Sequence, residues 1–265
     1  MAAAQPELFF ESHNEDKQET IILLHGLLSS HKEYDSVIPH LGAYHILAVD
    51  LNGHSGSAAI KPTTTSSSAE NVAALIRARA KGGAAHVVGL SFGGFVGLVL
   101  AGRHPDLVRS LFVTGAAPFE GLYKWMAERP SVIWYSMRAL LGMPVWLYWW
   151  LAEAKGMKKN DGLYADMQKN LTWENVKDCY TSILSLSFED VGKIEVRVLG
   201  VAGDKDDDLG STRKMGEVLR DGRAVVVRGA VHAWDLQFPE LFARGVLAWV
   251  REEELPVEFE SLVAS

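Results

Sequence analysis

Gly89-Leu90-Ser91-Phe92-Gly93 sets a serine between two glycines. A serine hydroxyl is a weak nucleophile. It needs a base to take its proton and a third group to orient that base. The chain supplies both further on. Gly229-Ala230-Val231-His232 places a histidine just after an apolar run, and Gly203-Asp204-Lys205-Asp206-Asp207-Asp208 places four carboxylates after another. Ser91, one of those acids and His232 thus compose a nucleophile, an orienting carboxylate and a general base. The oxyanion that such a nucleophile generates needs hydrogen-bond donors. His25-Gly26-Leu27 follows the first long apolar run, so the backbone N–H groups of Leu27 and of Phe92, beside the serine, are the candidate donors. The chemistry is acyl transfer to water.

These groups work only if the fold gathers them. Thr20–Leu24, His45–Val49, His86–Leu90, Ser110–Thr114, Val196–Ala202 and Ala224–Arg228 are short, continuous apolar or β-branched runs. Strands buried on both faces read this way, which predicts a mostly parallel sheet. Between them, Ser68–Arg79, Phe92–His104, Ser211–Leu219 and Leu241–Arg251 fit crossover helices, and Leu8–Phe10 fits an edge strand. The alternation predicts an α/β fold with a doubly wound, mostly parallel sheet. Ser91, the acid cluster and His232 then all follow strand C-termini, where such sheets bind ligands. Thr63–Ser68 reads as a loop carrying helix-capping residues.

One stretch breaks the rhythm. Residues 118–187 offer no strand but hold six of the eight tryptophans and five of the seven methionines, in helical patterning punctuated by Pro and Gly. The segment is expected to be a helical cap (lid) domain inserted into a core of residues 1–117 and 188–265. Most of its aromatic residues would form its own core. Others would line a substrate pocket, since pockets are mostly apolar. The candidate pocket residues are His25, Trp125, Trp146, Trp150 and Trp234, although His25 also reads as a support for the oxyanion loop.

Composition removes several classes of function. With 48% hydrophobic and 22% charged residues, the 265-residue chain is globular rather than disordered. Its net charge of −7 argues against nucleic acid and against an anionic membrane surface. The longest apolar run, Met143–Ala152, contains Pro144 and is too short to span a bilayer. The first twenty residues do not read as a signal peptide, and Val263-Ala264-Ser265 is not a peroxisomal address, so a cytoplasmic location is expected. A single cysteine, Cys179, excludes an internal disulfide or a multi-cysteine zinc site. It reads as a small buried apolar group. No cofactor and no metal is signalled. The expected partner is a small-molecule substrate, and the chain is expected to be a monomer or homodimer.

Taken together, His25-Gly26-Leu27-Leu28-Ser29-Ser30, Asp50-Leu51-Asn52-Gly53-His54-Ser55-Gly56-Ser57, Gly89-Leu90-Ser91-Phe92-Gly93-Gly94, Gly203-Asp204-Lys205-Asp206 and Gly229-Ala230-Val231-His232-Ala233-Trp234 resemble the α/β-hydrolase superfamily over nearly the whole chain. In style the chain looks like the cap-bearing hydrolases of fungal secondary metabolism. The resemblance implies that the acid is Asp206, three positions after the glycine ending its strand. Asp204, Asp207 and Asp208 are then turn carboxylates, and Glu120 is a weaker candidate. It also implies that residues 118–187 are the family's helical cap. A serine at position 91, where epoxide hydrolases and dehalogenases carry an aspartate, disfavours those activities. Asn52 stands where the family often has proline, and is expected to shape its loop. His54 is expected to bond loop backbone, and the histidines at 13, 31, 40, 45, 86 and 104 to lie at the surface or at helix ends. The activity implied is hydrolysis of a carboxylic ester, lactone or thioester of a small apolar or aromatic substrate. The same three residues would also serve a carbon–carbon bond hydrolase acting on a diketone or vinylogous acid. A ligand-binding member without turnover, or an interaction protein using the aromatic lid, are the readings from other classes.

Overall fold

The computed structural model describes residues 7–205 and 207–262. Asp206 and the Val263–Ser265 tripeptide, both read above, lie outside them. Eight strands form one sheet: β1 (Phe10–His13), β2 (Thr20–Leu24), β3 (His45–Val49), β4 (Ala85–Leu90), β5 (Val108–Thr114), β6 (Val198–Gly203), β7 (Gly222–Val227) and β8 (Phe259–Ser261). Their spatial order is β1-β3-β2-β4-β5-β6-β7-β8. The six inner strands are parallel, and β1 and β8 are antiparallel edges. Every residue of β2, β3, β4 and β6 is buried, as continuous apolar runs require.

Helices cover both faces. On one side α1 (Thr65–Arg79) and α2 (Phe92–Arg103) pack against the strands through Val72, Ile76, Phe95 and Val96. Six helices follow β5: α3 (Gly121–Ala127), α4 (Pro130–Leu141), α5 (Val145–Ala154), α6 (Asp161–Asn170), α7 (Trp173–Ile183) and the short α8 (Phe188–Val191). Then come α9 (Leu209–Val218), α10 (Trp234–Gln237) and α11 (Pro239–Val250). On the other face α11 buries Phe242, Val246 and Trp249 against Tyr34 and the strands. At about 1.5–3 kcal/mol for each fully buried large apolar side chain, these two layers supply the main driving force for the core.

The sequence-based elements shift at their ends. Helix α1 starts at Thr65 rather than Ser68, because the Thr64 hydroxyl accepts the Ser67 amide and caps it. The edge strand begins two residues later than expected, and β8 carries only Phe259 as a buried apolar signal. Between β5 and β6 the helices place a further apolar cluster, with Leu28, Ile133, Leu141, Trp149, Tyr164 and Val176 at its centre. Three polar residues fasten this insertion to the loops after β2 and β3. The Asn170 amide donates to the Leu28 and Ser29 carbonyls at 2.9 and 2.8 Å, while its oxygen accepts the Ser55 amide at 2.8 Å. Asn175 donates to the Gly53 carbonyl at 2.9 Å. Asp166 accepts Ser30 Oγ and Lys32 Nζ at 2.9 and 2.7 Å.

Candidate active site

Ser91 lies between β4 and α2, at the helix N-cap, with φ 52° and ψ −118°, a backbone conformation that non-glycine residues rarely adopt. Such strain persists only where its surroundings over-determine it. Here they do. A Cβ at Gly89 would lie 2.5 Å from the Gly93 carbonyl oxygen, and one at Gly93 only 2.0 Å from the Leu24 carbonyl oxygen. The two glycines let the strand, the helix and the neighbouring β2 close on the serine. The Ser91 amide donates to the Thr114 carbonyl of β5 at 2.8 Å, and the Gly93 amide to the His25 carbonyl at 3.1 Å. The turn is fixed on three sides.

His232 follows β7. Its Nδ1 meets Asp207 Oδ1 at 2.5 Å. The ring rests on Gly115 at the end of β5, where a Cβ would stand 2.5 Å from the ring Cε1 and 3.1 Å from Asp207 Oδ1. Gly115, with φ +60°, is a site residue that nothing in its local sequence marks. Ser91, Gly115, Asp207 and His232 line one cavity of about 220 Å³.

Asp206 was the expected acid, but it lies outside the described residues, and the carboxylate that meets His232 is that of Asp207. The turn explains the difference of one residue. The Asp207 amide returns to the Gly203 carbonyl at 3.2 Å, and Asp207 Oδ2 accepts the Gly203 amide at 2.7 Å. The fourth residue after the strand-ending glycine is thereby folded back onto the strand end. Asp204 accepts the Gly229 amide at 2.8 Å, and Asp208 caps α9 by accepting the Ser211 amide, so both are turn carboxylates as expected. Glu120 pairs with Lys214 instead of a histidine.

Leu27 and Phe92 flank the serine on the loop and helix sides. Their amides make no hydrogen bond to protein groups among the described residues. Their neighbours are all engaged. Gly26 N–H donates to Glu33 Oε2 at 2.8 Å and Leu28 N–H to His54 Nε2 at 3.0 Å. His54 Nδ1 donates to the Asn52 carbonyl at 2.8 Å, and burial pushes its pKa down to about 3. The ring is therefore neutral, and its Nε2 is free to accept. Asn52 in turn donates to the Pro62 carbonyl at 3.1 Å and holds its loop.

Of the expected pocket residues, the structure brings none into the cavities at Ser91. His25 is fully buried. Its Nδ1 donates to the Gly26 carbonyl at 2.7 Å, its Nε2 accepts the Leu51 amide at 3.0 Å, and burial pushes its pKa down. It supports the loop. Trp234 is fully buried against Phe242 and Phe259, with Nε1 donating to Thr114 Oγ1 at 2.8 Å. Trp125, Trp146 and Trp150 are 49%, 71% and 63% exposed, on the outer faces of α3 and α5. The residues that do line the first cavity include Phe119, Tyr123, Met126, Ile133 and Tyr180. A second cavity, of about 270 Å³, shares Ser91, Tyr180 and His232 and continues between Met137, Tyr148, Trp149, Met157 and Met167.

Three of the remaining histidines are buried rather than superficial, each with a partner. His31 Nδ1 meets Asp50 Oδ1 at 2.9 Å. His45 and His86 pair across strands with Thr20 and Ser110 at 2.9 and 2.8 Å, as the strand register dictates. Cys179 is buried in α7, and burial holds its thiol well above the usual range. No helix among the described residues is long and apolar enough to cross a membrane.

A family model described as the alpha/beta hydrolase fold matches residues 19–138. An AB hydrolase superfamily protein of Gibberella zeae is 31% identical over 272 aligned positions, covering 96% of this chain and 87% of that protein. A pimeloyl-acyl-carrier-protein methyl ester esterase of Neisseria meningitidis is 37% identical over 102 residues, 38% of each chain. The solved enol-lactonase of Burkholderia xenovorans superposes with a TM-score of 0.70 at 19% identity, covering 92% of this chain and 96% of its own. That likeness concerns the fold.

Proposed function

Because the chain belongs to the α/β-hydrolase superfamily, we propose that it is a serine hydrolase cleaving a carboxylic ester, lactone or thioester of a small apolar or aromatic substrate. Ser91 is the nucleophile, His232 the general base and then general acid, and Asp207 the residue that orients the imidazole and stabilises its charged form. His232 takes the Ser91 proton as Oγ attacks the carbonyl carbon. The Leu27 and Phe92 amides receive the developing oxyanion, a contact typically contributing about 2.7–4 kcal/mol per donor. His232 protonates the leaving group, and water, activated by the same ring, hydrolyses the acyl-enzyme. Residues 118–187 act as the cap that shapes the substrate space.

The observation that carries the reading is the 2.5 Å contact between His232 Nδ1 and Asp207, held over Gly115 in the cavity that Ser91 lines. The similarity to an ester esterase supports ester chemistry, and the fold shared with an enol-lactonase agrees with it. Two cavities of about 220 and 270 Å³ that both reach Ser91, walled largely by thioethers and aromatic rings, suit a small apolar acyl group and leaving group. The test is labelling with a fluorophosphonate, followed by turnover of short and medium p-nitrophenyl esters. A mass adduct on the native protein, absent from Ser91→Ala, is the expected result. A folded native protein that neither labels nor turns over any ester would end the hydrolase reading.

A further inference from the structure

We propose that Glu33 and Ser29 form a polar floor in the larger cavity that binds a second substrate oxygen, a ketone or hydroxyl carried on an apolar skeleton away from the scissile carbonyl. The inference deepens the hydrolase reading by naming the substrate class. The mechanism uses neither residue. Both line the cavity that runs from Ser91 between the methionines and aromatic rings of the insertion. Glu33 is only 5% exposed and Ser29 only 4%. The Ser29 hydroxyl is buried and makes no hydrogen bond of regular geometry among the described residues, although it lies close enough to the Glu33 carboxyl to pull its pKa down. Glu33 commits Oε2 to the Gly26 amide at 2.8 Å, and the Ser29 hydroxyl is the other polar side chain that acts on its carboxyl at short range. Buried polar groups are nearly always satisfied. A hydroxyl and a carboxyl buried together in a mostly apolar wall match a ligand that brings its own oxygen.

The protonation of Glu33 decides which oxygen fits. Burial pushes its carboxyl up to about 7, against the opposing pull of the Gly26 amide, of the Ser29 hydroxyl and of His232. Asp235, on α10, is fully buried, and neither of its carboxyl oxygens has a hydrogen-bond partner among the described residues. Burial first, and then the charge of Glu33, hold Asp235 well above the carboxylate range. The other titratable neighbours are Tyr34, whose hydroxyl donates to the Leu24 carbonyl, and Lys158 in the cavity wall. Below about pH 7 the Glu33 carboxyl is neutral and donates, together with Ser29, to an acceptor oxygen. Above it, Glu33 ionises, becomes an acceptor only, and the preference for a ketone falls.

The experiment compares 4-phenylbutan-2-one with butylbenzene, the same skeleton without the oxygen. It uses calorimetric titration of Ser91→Ala protein so that no adduct forms with the ketone. At about pH 6 the ketone is expected to bind about tenfold more tightly, roughly 1.4 kcal/mol. At about pH 8.5 that advantage should shrink towards parity. Adding Glu33→Gln, which keeps a donor at every pH, should preserve the preference at both values. Glu33→Leu should lose it, and Ser29→Ala should lower it even if the Glu33 variant fails to fold. Equal affinity for the two compounds at about pH 6, or a preference untouched by both Glu33→Leu and Ser29→Ala, overturns the proposal. Fluorophosphonate labelling of the native protein is a separate readout. Its failure would end the hydrolase reading while leaving this binding preference to stand or fall alone.

Discussion

The parallel sheet and the helical insertion solve the same problem of fixing side chains in space by different means. At the sheet's C-terminal edge, backbone does the positioning. Ser91 is strained, and Gly89, Gly93 and Gly115 allow approaches that any Cβ would block. The strands beneath are wholly buried. The insertion instead exposes much of its apolar surface, from Leu122 in α3 to Trp146 and Trp150 in α5. It is tied to the core by side-chain hydrogen bonds from Asp166, Asn170 and Asn175. The proposed reacting groups therefore sit where backbone contacts are closest. Much of the cavity wall sits on helices fastened to the core by a few polar staples.

That contrast can be broken or sharpened by substitution. The largest effect is expected from Gly93→Ala, whose Cβ would stand 2.0 Å from the Leu24 carbonyl oxygen. Chemical denaturation should show a loss above about 4 kcal/mol or no folded protein. Asp207→Asn should fold normally yet lower kcat by about 10⁴-fold, by analogy with the orienting acid of other triads. Asp204→Asn, at a carboxylate that holds the Gly229 amide and Arg228 rather than His232, should leave kcat within about tenfold. The reverse ranking in steady-state kinetics would reassign the acid. Asn170→Ala leaves two loop carbonyls without their donor, so thermal unfolding should report a loss of about 1–3 kcal/mol and KM should rise more than kcat falls. Smallest of all, Trp146→Ala and Trp150→Ala should change stability by no more than about 0.5 kcal/mol, since both rings face outward.

The sheet was legible because burial on both faces leaves an unbroken apolar signature in each inner strand, and Thr20–Leu24 and His45–Val49 occupy the bounds expected of them. The serine elbow was legible because only glycines tolerate its contacts. The acid was less so. Counting from Gly203 assumes a turn length, and the return of the Asp207 amide to the Gly203 carbonyl makes the turn one residue longer. The cavity walls were the least legible. Aromatic content marks the insertion as apolar but not which side of each helix faces inward: Trp125, Trp146 and Trp150 point outward while Met137, Tyr148 and Tyr180 line the cavity. Glu33 gave no signal at all, because a glutamate among surface-type residues reads as solvated unless the fold buries it.

The Asn170 staple has a consequence for how the molecule breathes. One side chain on α6 grips two successive carbonyls of the loop after β2 and the amide of Ser55 in the next loop. Three segments distant in sequence therefore open as one unit or not at all. Under native-state hydrogen exchange, the amides of α6 and that of Ser55 should share a single opening free energy, well below that of β4. Asn170→Ala should then raise the opening frequency of all three segments together, leaving that of β4 unchanged.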